Sequence, residues 1–371
     1  MKVLVTGGAG FIGSHAVEIL LAQGHQVRVY DKLVDQVHQG NGPRYVPAEA
    51  EFIKADMTDR DSLSEAVRGV DQILHLAAEV GVGQSMYEIS RYVDANTGGT
   101  GVLLDILANE KHQVGKVVVA SSMSIYGEGL YRCEEHGRVA PRLRQEQQLR
   151  EHRWEPTCPT CGRELAPVPT SEDKALFPTS VYAISKMDQE LLCLSVGAAY
   201  GFGVTAVRYF NAYGPRQALS NPYTGVAAIF SGRLLNGQAP IIMEDGRQLR
   251  DFIHVRDVAR ATVLAMTAEK ANGQAVNIGI GDPISIRDVA TLLGRALGRE
   301  DIEPQVTGKY RAGDIRHCYA DPTLAKELLG FEPEFRFADQ GVKELVSWVS
   351  EQSAQEQLDP TAELARRGLT V

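Results

Sequence analysis

KVLVTGGAGFIGSHAVEILLAQG, residues 2–24, changes its hydrophobic period partway along. Residues 2–5 form a short apolar run, glycines follow at 7, 10 and 13, and Phe11, Val17, Leu20 and Leu21 then recur at helical spacing until Gly24. This is the pattern of a strand, a tight turn and a helix. Gly7 and Gly10 let the backbone turn sharply and approach a pyrophosphate, while Gly13 permits close helix packing. The helix start at Phe11 and Ile12 offers amide donors and a positive dipole end. QVRVYD reads as the next strand and ends at Asp31, eighteen residues past Gly13. A carboxylate there accepts hydrogen bonds from both adenosine ribose hydroxyls and repels a 2′-phosphate, so the expected cofactor is NAD rather than NADP.

Outward from this unit the alternation continues. EFIKAD, QILHLA, KVVVASS and VTAVRYF read as strands; DSLSEAVRG, TGGTGVLLDILANE and SKMDQELLCLSVGAAY read as helices. Strands alternating with helices predict an α/β fold built on a Rossmann-type doubly wound parallel sheet. Asp56 and Met57, after the third strand, are expected to face the adenine, and Ala77 and Ala78 let the fourth strand's loop approach the cofactor. Asn96 is expected to cap or bridge the following helix at the cofactor site. From Asn211 onward short strands (PIIME, RDFIHV, AVNIG) mix with helices, which predicts a smaller C-terminal α/β lobe over the carboxyl edge of the sheet, with substrate between the two. The expected division is residues 1–126 and 181–210 for the nucleotide-binding domain, 127–180 for an insertion, 211–351 mainly for the substrate lobe, and 352–371 for a surface helix or loose tail.

Composition narrows the classes. Of the 371 residues, 44% are hydrophobic and 23% charged, enough for a sizeable core. A formal net charge of -9 argues against a general nucleic-acid or acidic-membrane binder, which must neutralise phosphates over a broad surface. No apolar run approaches the roughly 18 residues of a bilayer span, and MKVLVTGG has no basic flank or cleavage site, so a cytoplasmic location is expected.

Tyr182 and Lys186 of YAISK lie four apart at a helix start, on one face. An ammonium near a phenol lowers the phenol's pKa toward working pH and can also hold nicotinamide ribose hydroxyls, which makes Tyr182 a usable acid and base. VVVASSMSIYG places Ser121, Ser122 and Ser124 at the carboxyl edge of the sheet, where a hydroxyl can bridge a sugar oxygen and Tyr182.

The glycine turn, the serine before Tyr126-Gly127, the Tyr182/Lys186 pair and RYFNAYGP together resemble the extended short-chain dehydrogenase/reductase family of nucleotide-sugar epimerases and dehydratases, over nearly the whole chain. The resemblance implies that Ser122 takes the catalytic Ser/Thr place. Met123 and Ser124 stand where the sugar dehydratases carry an acid pair, which disfavours dehydration. It also implies that Asn211, Arg250 and Arg311 surround a substrate diphosphate with Asp314 close behind, consistent with arginine forks binding phosphate oxygens bidentately. Asn221 and Tyr223 are candidates for nucleotide or sugar contact, and Ser124 for substrate. Val80 departs from members that place a lysine near that position. The implied activity is inversion at C4 of a nucleotide-diphosphate sugar, with tightly held NAD reduced and reoxidised in each turnover. A homodimer through TGGTGVLLDILANE and SKMDQELLCLSVG is implied as well. The rivals are a nucleotide-sugar 4-reductase or dehydrogenase, a UDP-sugar 4-epimerase acting on glucose or glucuronate, and, from another class, an inactive NAD-sensing binding protein.

Three of the five cysteines fall in the polar stretch 127–180. Cys158-Pro-Thr-Cys161-Gly resembles a zinc knuckle, and Cys133 with His136 offers a second pair. A closed Cys3His set leaves no open position for water or substrate, so the expected zinc is structural, pinning an insertion too polar to fold by itself. His152 is a rival for the fourth ligand. Cys193 and Cys318 are expected to be buried apolar fillers.

Overall fold

The computed structural model of the chain describes residues 1–218, 225–311, 313–352 and 360–370. Asn221 and Tyr223 lie outside the described residues. Seven strands form the main sheet: β1 (Lys2–Thr6), β2 (Gln26–Asp31), β3 (Glu51–Lys54), β4 (Gln72–His75), β5 (Lys116–Ser122), β6 (Gly203–Tyr209) and β7 (Gln274–Ile278). They lie in the order β7-β6-β5-β4-β1-β2-β3, and every pairing is parallel. The order reverses between β1 and β4, which opens a crevice at their carboxyl ends. β5, covered on both faces, is buried along its whole length, which is why it reads as the unbroken run KVVVASS rather than an alternating one.

Helices cover both faces. α1 (Phe11–Ala22) packs with α5 (Val255–Thr267) on one side, around Val17, Leu20, Val258 and Met266. On the other, α2 (Arg60–Val67), α3 (Gly99–Asn109) and α4 (Val181–Tyr200) enclose Leu63, Leu103, Leu107 and Cys193. The start of α4 is fixed by Ser180, whose Oγ accepts from the Ala183 amide at 3.1 Å, and its end by Gly201 at φ +81°.

The strand AVNIG, expected in the smaller lobe, is instead the edge strand of the main sheet, and α5 before it completes the layer over α1. The smaller lobe keeps the helices Val226–Leu235, Ile286–Ala296 and Val342–Glu351 around Phe230, Leu293 and Leu345, with short strand pairs between them. The insertion forms an antiparallel sheet of Gly137–Val139, Leu130–Cys133 and Ala166–Val168, with Tyr131, Cys133, Cys158 and Leu165 as its small core. In the expected tail, Pro360–Arg366 is helical, Leu364 is buried, and Thr370 bridges to Arg311. Among the described residues no helix is long and apolar enough to cross a membrane.

Candidate active site

A cavity of about 430 Å³ sits at the crevice, lined by the glycine turn, Asp31, Ala77, Ala78, Ser122, Tyr182, Lys186 and Asn211. The turn is built for backbone approach. Gly7 sits at φ +70°, and a Cβ there would stand 2.7 Å from the Ala77 nitrogen. A Cβ on Gly13 would stand 2.2 Å from the Gly7 carbonyl oxygen. Gly10, Phe11 and Ile12 complete this wall. Asp31 is aimed by two backbone amides, Ala9 donating to Oδ2 at 3.1 Å and Leu33 to Oδ1 at 2.9 Å. Asp56 and Met57 also line the cavity, Met57 packed beneath Gly99. The donor set and the side-chain-free cradle fit a dinucleotide.

Asn96 does not line this cavity. It is fully buried, its Oδ1 accepting from the Glu79 amide at 2.7 Å and its Nδ2 donating to the Glu79 carbonyl and to Ser185 Oγ at 3.1 and 2.9 Å. Its amide clamps the Ala77–Glu79 loop to α4, so it shapes the cofactor wall without forming it.

Ser122 and Tyr182 line the same cavity, near enough for the serine hydroxyl to work against the rise in the phenol's pKa. Ser122 Oγ accepts from the Ser124 amide and hydroxyl at 3.2 and 2.9 Å, which fixes it at the end of β5. The Tyr182 amide donates to Ser85 Oγ at 3.0 Å, tying the first turn of α4 to the segment after β4. The electrostatics differ from the expectation of a phenol acidified by its lysine. Burial pushes the Tyr182 phenol above its ordinary pKa, with only Ser122 opposing it. The reason is local: Lys186 Nζ donates to Gln189 Oε1 at 2.5 Å, and burial lowers its own pKa to about 7. Buried Ser121 Oγ and Asn211 Oδ1 have no partner among the described residues, and both residues face this cavity.

Arg250, Arg311 and Asp314 come together at the smaller lobe, but apart from the cavity wall. The Arg250 fork is engaged by protein: Nη1 donates to the Leu249 and Arg316 carbonyls at 2.9 Å each, and Nη2 to the Ile315 carbonyl at 2.8 Å, with Asp314 Oδ1 at 3.5 Å. The Asp314 amide donates to the Arg311 carbonyl at 3.2 Å, while Arg311 Nε is buried without a partner among the described residues. Thr179 donates to the Gly313 carbonyl at 3.1 Å, so this cluster is fastened to the lead-in of the Tyr182 helix.

In the insertion, Cys133, His136, Cys158 and Cys161 converge, with all four ligand atoms within 4.8 Å of one another. Cys133 Sγ lies 3.5 Å from His136 Nδ1 and 3.6 Å from Cys161 Sγ, and Cys158 Sγ lies 3.6 Å from His136 Nδ1. A zinc tetrahedron with bonds of about 2.0–2.3 Å has edges of roughly 3.3–3.8 Å, and these three separations fall in that range. Backbone amides of His136 and Glu135 lower the Cys133 pKa, and those of Cys161 and Thr160 lower that of Cys158. His152 is not in the cluster; it stacks on Trp154, ring centroids 5.1 Å apart. Cys193 and Cys318 are buried, as expected of fillers.

The reversed strand order, the glycine cradle and the Ser122/Tyr182/Lys186 set define an enzyme of the extended short-chain dehydrogenase/reductase fold. The chain belongs to the NAD dependent epimerase/dehydratase family, whose model matches residues 3–145 and 157–279. Among curated relatives, dTDP-L-rhamnose 4-epimerase of Burkholderia thailandensis is 35% identical over 356 residues, 95% of each chain. The crystal structure of UDP-glucose 4-epimerase from Thermotoga maritima with UDP-glucose superposes with a TM-score of 0.77 at 31% identity, covering 95% of this chain and 99% of that one. UDP-glucuronic acid 4-epimerase from Bacillus cereus, in complex with UDP-glucuronic acid and NAD, has a TM-score of 0.76 at 26% identity, covering 95% and 99%.

Three contributors escape a reading of sequence. Gln189 looks like a solvated helix residue, Ser85 like a loop polar group, and Arg316 like one more surface arginine. Their roles come from partners distant along the chain, and no local pattern marks them.

Proposed function

We propose that the protein is an NAD-dependent nucleotide-sugar 4-epimerase, with dTDP-L-rhamnose to dTDP-6-deoxy-L-talose as the leading reaction. The carrying observation is the convergence of Ser122, Tyr182 and Lys186 with the glycine turn and Asp31 on one cavity. Similarity to the Burkholderia enzyme favours the rhamnosyl substrate. The Thermotoga and Bacillus structures favour a UDP-sugar as the second reading.

Gly7 and Gly10 would hold the pyrophosphate, with Gly13 letting the helix pack close against the turn, while Asp31 would hold the adenosine ribose and Lys186 the nicotinamide ribose. Bound NAD supplies a site that accepts hydride from the sugar's C4 and later returns it. Tyr182 takes the proton from the 4-hydroxyl, with Ser122 bridging the two oxygens, and gives it back after the 4-keto sugar has turned over. Ammonium beside phenolate stabilises the charged form Tyr182 needs, and Lys186, with three donors, can keep Gln189 while offering the others to the phenol and ribose as the site fills. Asn211, Arg250 and Arg311 are assigned to the diphosphate, with Asp314 close behind Arg250. Ser124, Asn221 and Tyr223 are assigned to the sugar or nucleotide. Arg250 reaches phosphate only by exchanging a carbonyl partner.

A structural zinc on Cys133, His136, Cys158 and Cys161 belongs to the same reading, as does a homodimer through α3 and α4. Zinc in a closed set does no hydride chemistry; that work falls to Tyr182 and NAD.

Purified protein given dTDP-L-rhamnose and no added cofactor should invert C4, followed by NMR, with no growth of NADH absorbance. Tyr182→Phe should lower turnover by at least about 100-fold, the usual scale of a positioned acid or base, while keeping its nucleotide. Stoichiometric consumption of NAD would establish the reductase or dehydrogenase reading, and inversion of UDP-sugars alone would move the substrate to that class.

A further inference from the structure

Beneath Lys186 lies a polar cluster with no exposure to solvent: Gln189, Thr100 and Asn96 are fully buried, His75 is 1% exposed and Thr6 0%. Gln189 stands one turn after Lys186 on α4, on the same face. Its Oε1 accepts from Lys186 Nζ at 2.5 Å, and its Nε2 lies 2.9 Å from Thr100 Oγ1 and 3.4 Å from the Ala77 carbonyl. The ammonium has only donors and the carbonyl only acceptors, so one orientation of the Gln189 amide satisfies both. Thr100 gives its own proton to the Asn96 carbonyl at 2.6 Å and is therefore left as an acceptor. His75 sits between two threonines, Nδ1 2.8 Å from Thr6 Oγ1 and Nε2 2.9 Å from Thr100 Oγ1. The amide is thus locked from behind by β1, β4 and α3, and only its oxygen faces the lysine.

We propose that Gln189 is a positioning residue for Lys186, a neutral acceptor that keeps the buried ammonium charged and delivers it to the phenol and the nicotinamide ribose. This deepens the epimerase reading and rests on it.

The charge balance around Lys186 is what makes the amide matter. His75 on β4 is kept neutral, burial lowering its pKa to about 3 with the Lys186 charge adding to the effect. Cys193 on α4 is pushed up to about 12 by burial and carries no charge at working pH. Glu190 on α4 is held by Arg208 of β6 through bonds of 2.6 and 3.0 Å, so its carboxylate is already paired. Among the described residues Tyr182, one turn earlier on α4, is the remaining titratable neighbour. No carboxylate bonds to Lys186 among the described residues. Burial is the largest cause that takes its pKa down to about 7, and Glu190 offsets it only in part. The lysine's contribution is present below its pKa and disappears as pH rises through it. An acceptor for the charged form therefore extends the working range upward.

The test is a pair of substitutions with opposite signs. Gln189→Leu removes the acceptor and should move the alkaline limb of kcat/KM down by about 1 pH unit, the size of a charge-assisted hydrogen bond. Gln189→Glu keeps the shape, adds a negative charge and should move the limb upward. A second readout needs no substrate: the pH dependence of Lys186 acetylation in the holoenzyme, read by peptide mass spectrometry, should shift in the same two directions. Coincident acetylation profiles in all three proteins, or a loss of rate with no movement of the limb, would overturn the proposal. If Gln189→Leu does not fold, an unshifted Gln189→Glu profile does the same. An inactive wild type whose variants still split the acetylation profiles would sink the epimerase reading and leave the positioning role standing.

Discussion

A methyl group at position 13 has nowhere to go. The Cβ of Gly13→Ala would stand 2.2 Å from the Gly7 carbonyl oxygen and 2.7 Å from the Gly8 Cα. Both are backbone atoms of the turn itself, so relief means opening the cradle. Overpacking of this kind costs about 1–3 kcal/mol. Gly13→Ala should therefore purify free of nucleotide and melt below the wild type, seen by absorbance of the extracted cofactor and by calorimetry; a nucleotide-loaded variant would contradict the account. At this scale the glycines and Asp31 were legible because their chemistry is local: a turn, a helix start and a strand end fall within one continuous stretch. The Tyr182/Lys186 pair was legible for the same reason. Its electrostatics were not, because the lysine's partner, Gln189, takes its meaning from Thr100, His75 and Ala77 on other elements.

The insertion shows what an element adds. Its docking onto the smaller lobe adds a seam of ions to apolar contacts such as Trp154 on Tyr310 and Leu176 beside Ile315 and Cys318. Arg144 forks onto Glu244 at 2.8 and 3.0 Å, and Arg316, fully buried, reaches Glu244 and Asp245 as well as Glu155 of the insertion. Glu155 takes a further bond from His317 at 2.8 Å. Burial works against ionisation of Glu155, yet His317 and Arg316 outweigh it and hold the carboxyl at about 2. Such a network demands fixed geometry from both sides, because a buried charge deprived of its partner costs more than the pair returns. Glu155 lies three residues before Cys158, so a metal that closes the Cys3His set would fix the loop presenting this carboxylate. Zinc measured on the purified protein should approach one per chain. Cys158→Ser, or prolonged chelation, should remove it and lower the thermal midpoint by several degrees while the nucleotide stays bound across the molecule. Retained thermal stability after metal loss would mean that the ion network suffices by itself. The cysteine spacing was readable in the sequence; the ionic seam was not, since its arginines and carboxylates lie 71 to 161 positions apart. AVNIG makes the same point. Its strand character was plain, but its membership of the main sheet depends on pairing with β6, and no local pattern names a strand's neighbour.

Across the whole molecule the apolar surface is uneven. α4 buries Gln189, Glu190 and Cys193 while leaving Leu191 49% and Ile184 45% exposed, a reversal of what a helix on a lone subunit would present. Ile89 and Val93, on the segment leading into α3, are exposed as well. Scattered surface leucines need no explanation, but apolar residues on two adjoining helices suit a partner face. A twofold axis beside α3 and α4 would set each copy's α4 against its mate and cover these side chains with a standard interface of about 800 Å² per partner. The arrangement would bear on chemistry too, since the helix that carries Leu191 carries Tyr182 and Lys186 on its other face. Light scattering on the eluting protein should give the mass of two chains, and Leu191→Asp should shift it toward one. A carboxylate in that exposed position loses solvation on association, so the dimer and not the fold would bear the cost. Leu191→Asp that stays dimeric at micromolar concentration would place the interface elsewhere.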